Sequence, residues 1–194
     1  MAKRNTRNTK SLIVDAAWKL FYEQGYEDTT VEEIIALSGT SKGSFYHYFG
    51  SKDDLLGSLA YLFDEKYEEL AKTLDMEAPA LDTLLFLNRE LFSMIENRID
   101  ISLLSRLLST QLTLHGTKQL LDHNRVYFKL LRRIVVAGQE RGELTVDMSA
   151  SEIVRLYAMA ERAVLYEWCL CDGDFSLPRY GARVLPMLLG AMKK

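Results

Sequence analysis

Residues 29–52 read TTVEEIIALSGTSKGSFYHYFGSK, and this stretch decides the fold. Thr30-Val-Glu-Glu33 is a capping box, in which a Thr hydroxyl and a Glu carboxylate satisfy the free amides of a first helical turn. It predicts a short helix through Ile34, Ile35 and Leu37. Gly39 closes that helix, because glycine enters the left-handed region at little cost. Thr40 or Ser41 caps a second short helix over about Lys42 to Phe49. Ser51-Lys-Asp-Asp54 is a third start signal, with its acids at the positive helix end. Two short helices about a Gly-containing turn make a helix-turn-helix.

The second helix is too short to be stable without tertiary packing. Its apolar side is thin, Phe45 and Phe49 only. Its other sides carry Lys42, Ser44, Tyr46, His47 and Tyr48. Stability explains that surface poorly, whereas entry into a DNA major groove explains it well. Gly43 lets the backbone approach a sugar-phosphate, Ser44, Tyr46 and Tyr48 offer hydroxyls, and Lys42 and Lys52 offer cations. The amides at the helix starts are phosphate donors, and Thr30 can cap and contact at once. Packing is the other reading of Tyr46, His47 and Tyr48, since isolated exposed aromatics are unremarkable. Whether Tyr46 reads bases or only phosphate stays open.

Upstream, Ile13, Ala16, Ala17, Leu20 and Phe21 recur at helical spacing from about Thr9, and Gly25 ends the run. Lys3, Arg4, Arg7 and Lys10 stand there with no acid among the first ten residues, although the whole chain has a net charge of −3. A basic arm on an acidic body suits contact with a polyanion, near the backbone or minor groove. A frayed, solvated terminus is the alternative. Downstream, one long helix is expected from Ser51 to about Leu74, with Leu55, Leu56, Leu59, Leu62, Phe63, Tyr67 and Leu70 on its apolar side.

The rest also reads as helical. Pro79 opens a helix with Leu81, Leu84, Leu85, Leu91, Phe92 and Ile95. A Leu-rich helix follows over Ile99 to Leu114. A third, Thr117 to Arg141, carries Leu120, Leu121, Tyr127, Phe128, Leu131, Ile134 and Val135. Ser149-Ala-Ser-Glu152 is another capping box, opening a helix over about 150–171. The last helix runs from about Pro178 to Lys193, bent at Pro186. The fold class is therefore all-α, with about nine helices and no sheet. Hydrophobic residues at 48% of 194 exclude a wholly disordered chain. No stretch has the ~18 apolar residues of a membrane span, and no signal peptide is recognisable. Two cysteines, Cys169 and Cys171, build no disulfide framework. The expected location is the cytoplasm.

Residues 12–56 closely resemble the N-terminal DNA-binding region of the tetracycline-repressor (TetR) family of transcriptional regulators. The matching residues are Ala16-Ala17 with Phe21, Gly25-Tyr26, Thr29-Thr30-Val31 with Ile34-Ile35, the run Ser41 to Phe49, and Ser51-Lys52-Asp53-Asp54-Leu55. Gly138 to Leu144 also looks like that family's turn before its penultimate helix. The resemblance implies an Ω-shaped homodimer. Residues 1–54 would be the DNA-binding domain. Residues 55–194 would be the effector-binding and dimerisation domain, pairing through the last two helices of each subunit. It implies DNA contacts by Thr30, Ser41, Lys42, Gly43, Ser44, Tyr46, His47, Tyr48 and Lys52. The departure is charge: residues 11–55 hold three basic and eight acidic side chains, so affinity should lean on the arm, the two lysines and the helix ends.

Near-uniform apolarity of 156–171 and 184–192 exceeds what one small core buries. Self-association about a two-fold axis follows, and it suits a palindromic operator. Polar residues on apolar stripes mark a candidate cavity for an unknown small-molecule effector: Asn88, Asn124 and Glu161, with Tyr127, Tyr157 and Trp168. Partnering by other protein groups is the plainer account of each. Cys169 and Cys171 point too far apart on a helix to share a metal, although a redox role stays open. His115 and His123 fit no metal-binding spacing. No cofactor fingerprint or nucleophile motif is present. The expected function is a homodimeric, ligand-responsive repressor, and not an enzyme. A helical enzyme lacks any catalytic signature here. An adaptor that keeps the head but binds protein would enrich no palindrome from random duplexes.

Overall fold

The computed structural model describes residues 3–113 and 118–194, with side chains from residue 9 onward. The Lys3, Arg4 and Arg7 side chains of the basic arm, and His115, lie outside the described residues. Among the described residues ten α-helices follow one another: α1 (Lys3–Gln24), α2 (Val31–Ser38), α3 (Lys42–Tyr48), α4 (Lys52–Leu56), α5 (Leu59–Ala71), α6 (Ala80–Arg98), α7 (Ile101–Thr113), α8 (Val126–Glu140), α9 (Ala150–Leu170) and α10 (Leu177–Leu188). Two 3-10 turns lie at Gln119–Leu121 and Gly190–Met192. The one β-pairing among the described residues is an isolated bridge between Leu144 and Lys193. Two compact units result, residues 1–59 and residues 60–194.

The first unit packs α1, α2, α3 and α4 around Ile13, Ala17, Phe21, Ile34, Phe45, Leu55 and Leu56, all buried. α1 starts at Lys3, ahead of the expected start near Thr9, so the helical backbone runs through the basic stretch. The single helix expected from Ser51 to Leu74 is broken at Gly57–Ser58. The Ser58 hydroxyl turns back onto the Leu55 carbonyl at 2.5 Å and accepts the Trp18 indole N–H at 2.7 Å. The buried indole N–H needs such a partner, and meeting it redirects the chain before α5 begins.

In the second unit α6, α8, α9 and α10 pack together and α7 covers α9. Its core holds Leu84, Leu87, Phe92, Ile95, Leu107, Leu131, Val135, Tyr157 and Leu185. Gly181 on α10 lets that helix lie against Phe92, where an added Cβ would stand 2.8 Å from the ring. Arg141 donates to the carbonyls of Met76 and Ala78, and Glu143 accepts the Ala80 amide at 2.6 Å, which fixes the entry to α6. The helix expected from Thr117 starts only at Val126, after the 3-10 turn and a bend through Asp122.

Candidate nucleic-acid interface and effector cavity

α2 is capped as its sequence dictates. Thr30 Oγ1 accepts the Glu33 amide at 3.2 Å, and Glu33 Oε2 accepts the Thr30 amide at 2.8 Å. This holds the exposed Glu33 carboxyl below the usual range, first through the Thr30 backbone bond. Gly39 closes the helix at φ 62°. Ser41, rather than Thr40, caps α3, accepting the Ser44 amide at 3.1 Å. Phe45 and Phe49 are buried and anchor the inner side of α3. Ser41, Lys42, Gly43, Tyr46 and His47 lie on the exposed side, while Ser44 and Tyr48 are half-buried. Tyr46 packs edge-on to Phe45 and His47 edge-on to Tyr48, so the outward aromatics are braced.

The two lysines differ. Lys42 Nζ meets Glu32 Oε1 at 3.1 Å with both side chains largely exposed. Such a pair is weak and readily exchanged for a phosphate. Lys52, expected at a phosphate, has its ammonium directed into the protein. It donates to the carbonyls of Tyr26 (2.6 Å), Thr29 (2.8 Å) and Glu27 (3.3 Å), and lies 4.2 Å from the centre of the Tyr26 ring. An ammonium has three protons, and these carbonyls take all of them. Lys52 therefore clamps the turn that delivers Thr30, and in this form contacts no solvent-side anion.

The second unit holds a small, half-open cavity. Leucines 91, 104, 107, 108, 120 and 165 and Phe63 supply its apolar wall. The polar side chains in the lining are Tyr67, Tyr127, Glu161, Arg125 and Arg162. Of the residues named from the sequence, Tyr127 and Glu161 are thus in the lining. Asn88 and Tyr157 are in the second rank, behind Glu161. Glu161 Oε1 accepts from Asn88 Nδ2 at 2.8 Å and stands 2.8 Å from Tyr157 Oη, and Oε2 accepts from Tyr127 Oη at 2.5 Å. Tyr157 Oη also lies 2.8 Å from the Leu84 carbonyl. One phenolic proton cannot serve both oxygens. A protonated Glu161 resolves this, donating to Tyr157 while Tyr157 donates to Leu84. Burial pushes the Glu161 carboxyl up in the same direction, against the lowering effect of its bonds to Asn88, Tyr127 and Tyr157.

Trp168 is buried elsewhere, its indole N–H donating to the Phe175 carbonyl at 2.8 Å. Asn124 is a correction: it is exposed in the bend before α8, with its amide on Asp122 Oδ1, because the apolar stripe of α8 begins only at Val126. Arg125 is committed to Asp64 through two 3.0 Å bonds and to the Ala60 carbonyl at 2.8 Å. Tyr67, which the sequence reading absorbed into the core stripe of its helix, was missed. The available signal was a phenol on a face otherwise made of Leu and Phe.

Residues 13–59 match the model of "Bacterial regulatory proteins, tetR family". The match covers the helix-turn-helix head. It is similar to the fatty acid metabolism regulator protein of Bacillus subtilis (strain 168), with 23% identity over 184 residues covering 93% of each chain. A Thermus thermophilus FadR, solved in complex with lauroyl-CoA, superposes with TM-score 0.78 at 22% identity over 95% of each chain. A Bacillus subtilis FadR in complex with stearoyl-CoA gives TM-score 0.70 at 21% identity, over 94% of this chain and 99% of that one. The matched family is one of bacterial regulatory proteins, and both FadR proteins were solved with an acyl-CoA bound.

Proposed function

We propose that this protein is a homodimeric tetR-family repressor of a palindromic operator, released when a long-chain acyl compound of the acyl-coenzyme A type enters the cavity of residues 60–194. Residues 1–54 are proposed as the DNA-binding domain and 55–194 as the effector-binding and dimerisation domain, working in the cytoplasm without catalysis. One observation carries the DNA reading: α3 buries Phe45 and Phe49 and turns Lys42, Tyr46 and His47 outward. The contacts proposed are Thr30, Ser41, Lys42, Gly43, Ser44, Tyr46, His47 and Tyr48, with Lys52 acting indirectly through the turn it clamps. For the effector, the support is a leucine-walled cavity and the acyl-CoA bound by the two FadR proteins.

Dimerisation through α9 and α10 is supported by exposed apolar side chains on both helices: Met159, Tyr166 and Leu170 on α9, Met187 and Leu188 on α10. Two copies of α3 must then meet successive major grooves, about 34–36 Å apart for one helical turn. An acyl ligand that favours another spacing weakens binding, by roughly 5–150-fold for typical coupling. The test is selection of bound duplexes from a random pool, repeated with acyl-CoA esters of graded length. An enriched inverted repeat that the longer esters displace is expected. Absence of any enriched palindrome would overturn the DNA reading, and displacement by no acyl ester would overturn the effector reading.

A further inference from the structure

We infer that the Tyr67 hydroxyl is the hydrogen-bond donor that the cavity offers its ligand, and that it selects a carbonyl oxygen carried on an apolar chain. This rests on the acyl-effector proposal and gives it a recognition atom. Of the other polar groups of the lining, Tyr127, Glu161 and Arg125 are already engaged, and Arg162 is a charged rather than a neutral donor. Tyr127 donates to Glu161, whose carboxyl is also met by Asn88 and Tyr157. Arg125 is held by Asp64 and Ala60. Tyr67 differs from them. It lines the cavity, its side chain is 1% exposed, and its hydroxyl has no protein partner among the described residues. Its ring is set by Tyr127, with centroids 5.1 Å apart, so the hydroxyl has little freedom to seek one.

A buried hydroxyl without a partner is unfavourable and rare in native structures. Burial also raises the Tyr67 pKa well above the ordinary phenol value, so the group keeps its proton. Among leucines, a single phenolic donor asks for one acceptor on a ligand that is otherwise hydrocarbon. A carbonyl between an alkyl chain and a polar head meets that demand, and an acyl thioester has one.

The experiment compares two probes on the full-length protein by calorimetric titration: S-decanoyl-N-acetylcysteamine, a thioester, and S-decyl-N-acetylcysteamine, the thioether lacking the carbonyl. The wild type should prefer the thioester by roughly three- to tenfold, the worth of one neutral hydrogen bond. Tyr67→Phe should bind the two equally, with its thioether affinity unchanged. Its ligand-free thermal midpoint should be equal to or above that of the wild type, because an unsatisfied donor has been removed. A structural hydroxyl would instead lower that midpoint, and that result overturns the inference. So does a thioester preference that survives in Tyr67→Phe, or its absence in the wild type. If both probes bind alike and the thioester still displaces operator DNA, this inference fails while the acyl-effector proposal stands. If neither binds, this inference falls, while the acyl-effector proposal falls only if no acyl-CoA ester displaces operator DNA.

Discussion

Lys42 and Lys52 carry the same charge at the starts of neighbouring short helices, yet their surroundings assign them different work. Lys52 feeds three carbonyls around Tyr26, so Lys52→Ala should destabilise the head by about 1–3 kcal/mol, seen as earlier thermal unfolding before any DNA is added. Lys42 is held by one exposed acid. Glu32→Gln should release it and steepen the salt dependence of operator binding, while Lys42→Ala should flatten that dependence by about one unit of slope per contact. Equal slopes in all three proteins would remove Lys42 from the phosphate contacts. Spacing alone marked both lysines as cations near DNA. It could not reveal which ammonium would be drawn inward, because the carbonyls that capture Lys52 lie on a distant turn.

Glu161 supplies a second test at this scale. Its pKa in the folded protein is raised by burial. The folded state therefore holds this proton more tightly than the unfolded chain does. Stability is full below the ordinary carboxylate range and is lost as pH rises from there through the raised value. Glu161→Gln has no such proton, so its unfolding free energy should lack that decline. Chemical denaturation between pH 4 and pH 8 would show the two curves diverging, and parallel curves would contradict the assignment. Asn124 and Glu161 look alike in sequence, each a polar residue between apolar pairs. They part company because one precedes a helix start and the other lies inside a helix.

At the scale of elements, caps and stops were the legible features. Thr30, Ser149 and Gly39 do in the structure what their residue types allow, since these signals are local. The break after α4 was not legible, because it depends on an indole from α1 reaching Ser58. The late start of α8 was hidden as well, since Leu120 and Leu121 continue an apolar pattern that the backbone abandons. Close approach is another long-range feature. At Gly138 an added Cβ would stand 2.4 Å from the Ala80 Cβ and about 3 Å from Leu144. Gly138→Ala should cost about 1–3 kcal/mol by forcing α6 and α8 apart. Gly190→Ala, with open space around it, should be close to neutral in the same denaturant titration.

For the whole molecule, the prediction concerns the pair rather than the chain. Tyr166→Glu with Met187→Glu places charges on both exposed apolar faces and should shift sedimentation from dimer to monomer. Operator affinity should fall with it, although each head keeps its fold. A dimer that persists would send the search for the interface elsewhere on residues 60–194. The head was readable as a motif because groove-facing chemistry constrains adjacent residues. The larger unit was readable only as a class, helical and apolar. Its cavity is assembled from α5, α6, α7, α8 and α9, and no short run of sequence contains it.

The locked arrangement around Glu161 also bears on building a biosensor from this scaffold. Asn88, Tyr127 and Tyr157 are interdependent, and disturbing one strands the others. Retargeting to a new inducer is better begun at Tyr67 and the leucines opposite, where a library can vary without unravelling the polar scaffold behind them.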